Sequence, residues 1–498
     1  MGLALCVGGL AHSSFAHDGD SAAYISQEAQ AAPSTATNME TSNSSLSSLG
    51  TRSPATELKV ALDQYFRDNP ALGQGSCASY FKVLDSDRVL YSYRGNAPMV
   101  PASNLKVLTT STALDMLGTE YQFTTELWGA PVDATGTING NLYLRGNGDP
   151  TNTPPWHETP TALYESLAQT LVDSGVKSIQ GDIVADDSPF DRQFYPEGWA
   201  DHYHLDSYSA PVSGLSLNGN LIDVRIEGGN ISLYPPNNYF QVQYTPEGAY
   251  DTAVERQRGS NVITVRGPLS NATRGITVDN PPLFAASTFA QILQERGIAI
   301  SGQVRLIRPI GEPAAVVTQH QYASVSSPNL LEIVTEINQQ SDNLLAEHVF
   351  RTIGARYAGR GSAINGEACV KHFLENHHID TEGLHMVDGC GLSTLDRVTP
   401  NQLVDTFIAM ARSANAAQFK QSLASNEHGT LRYRFPNADV CGKTGTLDHY
   451  SSLSGYVTTP TQQTVVFSMM FNEIEDISVA IDIQNKVAVL LAQWNEML

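Results

Sequence analysis

Beyond residue 54 the apolar positions recur with periods that identify the elements. Leu58, Ala61, Leu62, Tyr65 and Phe66 fall at i, i+3, i+4, i+7 and i+8, one face of an amphipathic helix. Residues 78–84 and 88–94 read as two strands around the turn Asp85-Ser86-Asp87, and 107–117 as an apolar helix. Between 121 and 279 the runs shorten. Residues 123–127, 140–145, 179–185, 221–226 and 262–265 are β-like and parted by Gly, Pro and Asn, and only 161–173 patterns as a helix. Helical spacing returns at 283–296 and 329–354, and Thr399-Pro400 opens a further helix. Residues 452–458 and 464–471 are strands. Ile483, Val487, Leu490, Leu491, Trp494 and Leu498 line one face of a last helix, which is expected to pack on a sheet. The pattern implies a discontinuous α/β domain over 55–120 and 280–498, interrupted by a β-rich region over 121–279.

Composition sharpens this picture. A chain of 498 residues is too long for one ordinary core and implies two or three domains. The formal net charge of −22, with no basic stripe, argues against nucleic acid as a partner. Residues 3–10 are apolar and Ser14-Phe15-Ala16 suits a signal-peptidase site, although a basic segment before them is missing. Residues 18–54 are rich in Ser, Thr, Ala and Asn and read as a disordered linker, so 1–54 is expected to be a signal-like segment and tether. No run is long and apolar enough to span a membrane. The five cysteines form no C-x-x-C, no His/Cys cluster has zinc spacing, and no metal, nucleotide or other cofactor is expected. Whether Cys390 and Cys441 are buried thiols or a bridge is left open, as is the number of subunits, a homodimer included.

The chemistry begins at Ser103-Asn104-Leu105-Lys106, where an S-x-x-K motif opens a helix. Ser103 and Lys106 share one face a turn apart. A serine hydroxyl needs a base within hydrogen-bond reach, and a lysine can be that base once burial or a neighbouring cation lowers its pKa. Backbone N–H groups at the helix mouth can hold an oxyanion. Alone, the motif is more often a solvated helix face. Two further short motifs follow, Ser341-Asp342-Asn343 and Lys443-Thr444-Gly445, each bland by itself: a helix cap and a turn.

In this order the three motifs form the signature of penicillin-binding proteins and class A β-lactamases. Each member then has a mechanical reason. Ser103 is the nucleophile and Lys106 its base. Ser341 relays a proton to the leaving amine, Asn343 holds a substrate amide or Lys106, and Lys443 adds positive charge beside Ser341. Thr444, Gly445 and Thr446 line the substrate, the two hydroxyls facing its carboxylate, and the N–H groups of Ser103 and Thr446 form the oxyanion hole. The 235 residues from Lys106 to Ser341 are too many for an ordinary serine β-lactamase. With its long insertion, the chain resembles the low-molecular-mass class C penicillin-binding proteins, the D-alanyl-D-alanine carboxypeptidase/endopeptidase family. Residues 142–150, 181–187, 208–213 and 429–432 resemble that family too.

The resemblance implies an α/β (α+β) penicillin-binding domain, with a five-stranded antiparallel sheet between helix layers and two small nested domains. It implies cleavage of D-Ala-D-Ala bonds in peptidoglycan peptides and cross-links through an acyl-enzyme, inhibition by β-lactam antibiotics, and a periplasmic or secreted site of action. Where the family commonly reads D-G-S-G-L-S-R, this chain has Cys390 for the serine and Thr394 for the arginine. Arg397 is then expected to meet a substrate side-chain carboxylate, and Asp187 a side-chain amine. The competing readings are a non-catalytic peptidoglycan-binding protein and a β-lactam hydrolase.

Overall fold

The computed structural model describes residues 54–67, 69–308, 312–316 and 318–495, so the signal-like segment, the linker before Pro54 and Leu498 lie outside the described residues. Its centre is an antiparallel sheet in the order Ala424–Ser425, Val440–Leu447, Tyr450–Thr458, Thr464–Asn472, Ser76–Val83, Val89–Tyr93. Five strands are full-length, and the sixth is a two-residue edge paired only with Cys441 and Gly442.

The sheet is covered on both faces, and this explains the unbroken burial of residues 465–472, apolar but for Ser468 and Asn472. Val466 and Met470 point into one core; Val465, Phe467, Met469 and Phe471 point into the other, the period-two alternation of a strand. The second core is closed by Leu58, Leu62 and Phe66 of the Pro54–Phe66 helix and by Ile483, Val487 and Leu491 of the Ile477–Ala492 helix. The first is closed by the Lys106–Met116, Leu330–Gln340, Asn343–Ala358 and Pro400–Arg412 helices.

The 329–354 pattern is not one helix. Leu330–Gln340 ends at Ser341, in the left-handed region at φ 65, and Asp342 then caps Asn343–Ala358 through a bond from the Leu345 N–H (2.8 Å). Apolar spacing runs through this break because both helices bury one face in the same core.

The insertion leaves and returns at adjacent points. Phe123 N–H donates to Ser327 Oγ (3.0 Å), and Ser327 N–H donates to the Phe123 carbonyl (2.9 Å). Between them lies a mixed five-stranded sheet ordered Val304–Leu306, Ile183–Asp186, Leu142–Gly146, Thr124–Gly129, His320–Ser326. The Ala162–Asp173 and Pro281–Glu295 helices pack on one face of it. The 280 boundary drawn from the β-like runs therefore moves: the Val304–Leu306 and His320–Ser326 strands pair with the insertion, and Pro281–Glu295 buries Phe284, Phe289 and Leu293 in its core. Two three-stranded sheets within 221–277 share that core.

The insertion is tied to the unit that carries Ser103 by buried polar contacts along the Asn343–Ala358 helix. Arg351, fully buried, pairs with Asp191. Ser216 Oγ lies 3.1 Å from His348 Nε2, and His348 Nδ1 lies 2.8 Å from the Leu344 carbonyl. Burial holds the His348 pKa down to about 4, so the ring is neutral: Nδ1–H donates to Leu344 and Nε2 accepts from Ser216.

Candidate active site

Ser103 lies in a one-turn 3-10 helix, Ala102–Leu105, that runs into Lys106–Met116. Ala102, just before it, takes φ 48, a left-handed conformation that costs an alanine about 1–3 kcal/mol. The turn holds because its surroundings fix it. Ser452 Oγ donates to the Pro101 carbonyl (2.6 Å) and accepts from Asn104 Nδ2 (2.7 Å). Gly445 lies so close that a Cβ there would fall 2.8 Å from the Pro101 carbonyl oxygen and 2.9 Å from the Asn104 nitrogen. On the other side, a Cβ on Gly391 (φ 79) would overlap the Ala102 carbonyl oxygen, a backbone atom that cannot step aside. Gly391→Ala is therefore expected to shift the Ser103 turn, lower the melting temperature by several degrees and slow acylation roughly tenfold to a hundredfold. Thermal melts and acylation kinetics check this.

Lys106 is fully buried. Its Nζ meets Asn343 Oδ1 (2.6 Å), the Cys390 carbonyl (2.6 Å) and Ser103 Oγ (2.9 Å). Two of these partners only accept. A neutral amine has two N–H bonds and one lone pair; in that form the two carbonyls would take both N–H bonds and the lone pair would face the Ser103 hydroxyl. Burial is the largest influence on this lysine and lowers its pKa. The charges of Cys390, Asp388, Asp342 and Glu347 pull the other way. Burial also pushes Glu347 up to about 8 and raises Asp342 and Cys390, which weakens that opposition.

Lys443, also fully buried, donates to Ser341 Oγ (2.8 Å) and to the Thr444 carbonyl (3.0 Å). Thr444 Oγ1 donates to Thr430 Oγ1 (2.8 Å), in the 429–432 stretch. Thr446 pairs with Ser451 across the sheet, on the strand that carries Lys443, Thr444 and Gly445. Asn343 Nδ2 donates to the Tyr208 carbonyl (2.8 Å), which brings the insertion to the site. Ser103, Lys106 and Asn343 thus form one hydrogen-bonded group and Ser341, Lys443 and Thr444 another. The first is held against the Lys443 strand through Gly445.

Asp187 and Arg397 are engaged elsewhere. Asp187 takes two bonds from Arg192, 2.9 Å from Nε and 2.7 Å from Nη2. Arg397 Nη1 donates to the carbonyls of Thr394 and Asp396, both at 2.7 Å, and so braces its own loop.

The motifs alone did not reveal Asp388. Its Oδ1 accepts from the N–H groups of Cys390 (3.0 Å) and Gly391 (2.6 Å), and its Oδ2 from Ser393 N–H and the insertion's Trp199 Nε1–H, both at 2.8 Å. These four bonds fold the loop that points the Cys390 carbonyl at Lys106. Its sequence signal is the Gly-rich turn, where it stands at the aspartate of the family's D-G-S-G-L-S-R stretch. Glu347, Asp388 and Cys390 bring ligand-type atoms within 4.8 Å of one another. That set does not suit a cation: both Asp388 oxygens are taken by N–H groups, and burial keeps the Cys390 thiol protonated. The four described cysteines, Cys77, Cys369, Cys390 and Cys441, are buried and free.

A family model described as D-Ala-D-Ala carboxypeptidase 3 (S13) matches residues 58–494. The chain is 30% identical over 472 residues to a D-alanyl-D-alanine carboxypeptidase of Actinomadura sp., an alignment covering 88% of this chain and 85% of that one. It is 25% identical to D-alanyl-D-alanine carboxypeptidase DacB of Haemophilus influenzae, over 80% of this chain and 86% of the relative. The fold matches the crystal structure of penicillin binding protein 4 (dacB) from Haemophilus influenzae with a TM-score of 0.74 at 22% identity, covering 88% of this chain and 99% of that one.

Proposed function

The chain belongs to the D-Ala-D-Ala carboxypeptidase 3 (S13) family and is a serine D-Ala-D-Ala carboxypeptidase; from that premise we propose that Ser103 is its nucleophile and Lys106 the base that activates it. The observation that carries this reading is the setting of the buried Lys106 Nζ, 2.6 Å from each of two carbonyl oxygens and 2.9 Å from Ser103 Oγ, in which a neutral amine would offer its lone pair to the Ser103 hydroxyl.

In the proposed sequence Lys106 accepts the Ser103 proton as Oγ bonds to the carbonyl carbon of the penultimate D-alanine. The oxyanion is held by the N–H groups of Ser103 and Thr446. The tetrahedral intermediate collapses with cleavage of the peptide C–N bond. The departing D-alanine nitrogen takes a proton through Ser341, which Lys443 orients at 2.8 Å. The proton that Ser103 gave to Lys106 thus leaves with the amine; water then attacks the ester, Lys106 takes the water's proton, and it passes that proton to Ser103 Oγ as the acyl–oxygen bond breaks. Thr444 and Thr446 hydroxyls receive the terminal carboxylate beside the Lys443 charge. A β-lactam would acylate the same oxygen by ring opening, with no leaving group to depart.

We place the substrate in peptidoglycan stem peptides and their cross-links, and the protein in the cell envelope or outside it. Among the described residues no helix is long and apolar enough to cross a membrane.

Time-resolved intact-protein mass spectrometry with benzylpenicillin, with D-alanine release from an acyl-D-Ala-D-Ala peptide measured alongside, tests the assignment. One long-lived penicilloyl group on the Ser103 peptide, together with D-alanine release, is the expected result. A short-lived adduct with fast drug consumption would make the chain a β-lactam hydrolase. Neither adduct nor release would leave a peptidoglycan-binding protein.

A further inference from the structure

A cavity of about 490 Å³ lies between the insertion's five-stranded sheet and the C-terminal half of the Asn343–Ala358 helix. Thr352 is nine residues beyond Asn343, about 14 Å along the helix axis at 1.5 Å per residue, so this space is separate from the Ser103 cleft. Its size falls in the range of small-ligand pockets, roughly 300–1,000 Å³.

One wall is the polar face of the sheet. Thr124, Glu126 and Trp128 alternate along their strand and share that face, while Leu127, Leu144 and Ala185 fill the core behind it. Arg145 stands across from Glu126 on the next strand, and Asp186 across from Arg145 on the one after. The wall is stiff: Asn147 and Thr124 exchange two bonds, and Trp128 Nε1 donates to Glu126 at 2.9 Å. The helix supplies the other wall through Thr352, with Arg356 exposed at the rim.

Both walls present polar atoms without a protein partner. Arg145 Nη1 is buried and makes no hydrogen bond; Asp186 Oδ2, 3.6 Å away, balances its charge without accepting from it. Thr352, 1% exposed, has an unpartnered hydroxyl. Unmet buried groups are rare in native proteins and mark a place that something else completes. The unmet donors facing this space are a guanidinium N–H and a hydroxyl, with a second guanidinium at the mouth; the unmet Asp186 Oδ2 lies behind Arg145, in the buried strand row, and the ligand that suits the donors is a carboxylate. Glu126 on the same wall and Asp186 beside Arg145 offset part of this positive charge, so an anion is favoured by the unmet Arg145 N–H and by Arg356 at the mouth and not by a net positive field.

We propose that this cavity binds the terminal carboxylate of a short peptide, Arg145 and Arg356 supplying the charge and Thr352 a hydroxyl donor. The proposal rests on the reading of this chain as a D-Ala-D-Ala carboxypeptidase: its substrates end in a free carboxylate, so a second stem peptide has the right chemistry, as does the D-alanine that the reaction releases.

The test is calorimetric titration of the penicilloyl protein, whose Ser103 is blocked, with acetyl-D-Ala-D-Ala, with its C-terminal amide and with D-alanine. One saturable site is expected, at least tenfold weaker for the amide and in Arg145→Gln. Arg356→Gln, at an exposed position with little bearing on folding, is expected to weaken it at least threefold. Both variants are expected to acylate at the wild-type rate. Saturable, Arg145-dependent binding of either ligand supports the carboxylate site, and the tighter ligand identifies its source. No saturable binding to the penicilloyl protein, or binding indifferent to amidation and to both arginines, overturns it. Failure to acylate would count against the Ser103 assignment instead; the titration is then run on unmodified protein and judged by the same dependence on Arg145.

Discussion

Ser103→Ala is expected to abolish penicillin labelling and to lower D-Ala-D-Ala hydrolysis by about 10⁶-fold, the scale of nucleophile loss in serine hydrolases. The fold should survive. Ser103 is only half-buried, and its side chain makes one described hydrogen bond, to Lys106. The turn is held instead by Ser452, Asn104, Gly445 and Gly391, none of which the substitution touches. An unchanged melting temperature with no adduct by mass spectrometry is the predicted pair of results. A penicilloyl group retained by the variant would move the nucleophile elsewhere.

Lys106→Met keeps the length of the side chain and removes its amine. Acylation is expected to slow by about 10²–10⁴-fold, the range for a positioned proton transfer. The pH profile carries the sharper test. Burial disfavours the ammonium, so the Lys106 pKa is below its ordinary 10.5, and the acylation rate should rise with pH as the amine loses its proton. The variant should lose that ascending limb. Stability follows the same sign: the unfolded chain binds the lysine proton more tightly than the folded one, so wild-type stability climbs with pH between the lowered folded-state pKa and 10.5, and the variant should lack that climb. Stopped-flow acylation and chemical denaturation across the alkaline range measure both. An unchanged ascending limb in the variant would assign the base to another group.

Much of the unit that carries Ser103 was legible before any coordinates, because its signals are local. The helix face of Leu58, Leu62 and Phe66 is buried as its spacing requires, and strand 464–472 splits its side chains between two cores. The S-x-x-K spacing places Lys106 Nζ 2.9 Å from Ser103 Oγ because one helical turn brings residues three apart together. The insertion was harder to read. His320–Ser326 carries an indistinct pattern, yet it pairs with Thr124–Gly129 nearly two hundred residues earlier. A short edge strand takes its identity from its partner, and no local periodicity encodes that partner.

By itself the sequence determined which residues could do chemistry and which turns they occupy, since residue type and short spacing are local properties. Tertiary structure decided the rest. It set the Cys390 carbonyl against Lys106 across 284 residues of chain, and it spent Asp187 on Arg192 and Arg397 on its own loop. It also brought Trp199 and Tyr208 of the insertion to Asp388 and Asn343 beside Lys106. The protonation state of a buried lysine depends on what excludes water from it and which oxygens take its N–H bonds, and those groups meet only when the chain is folded.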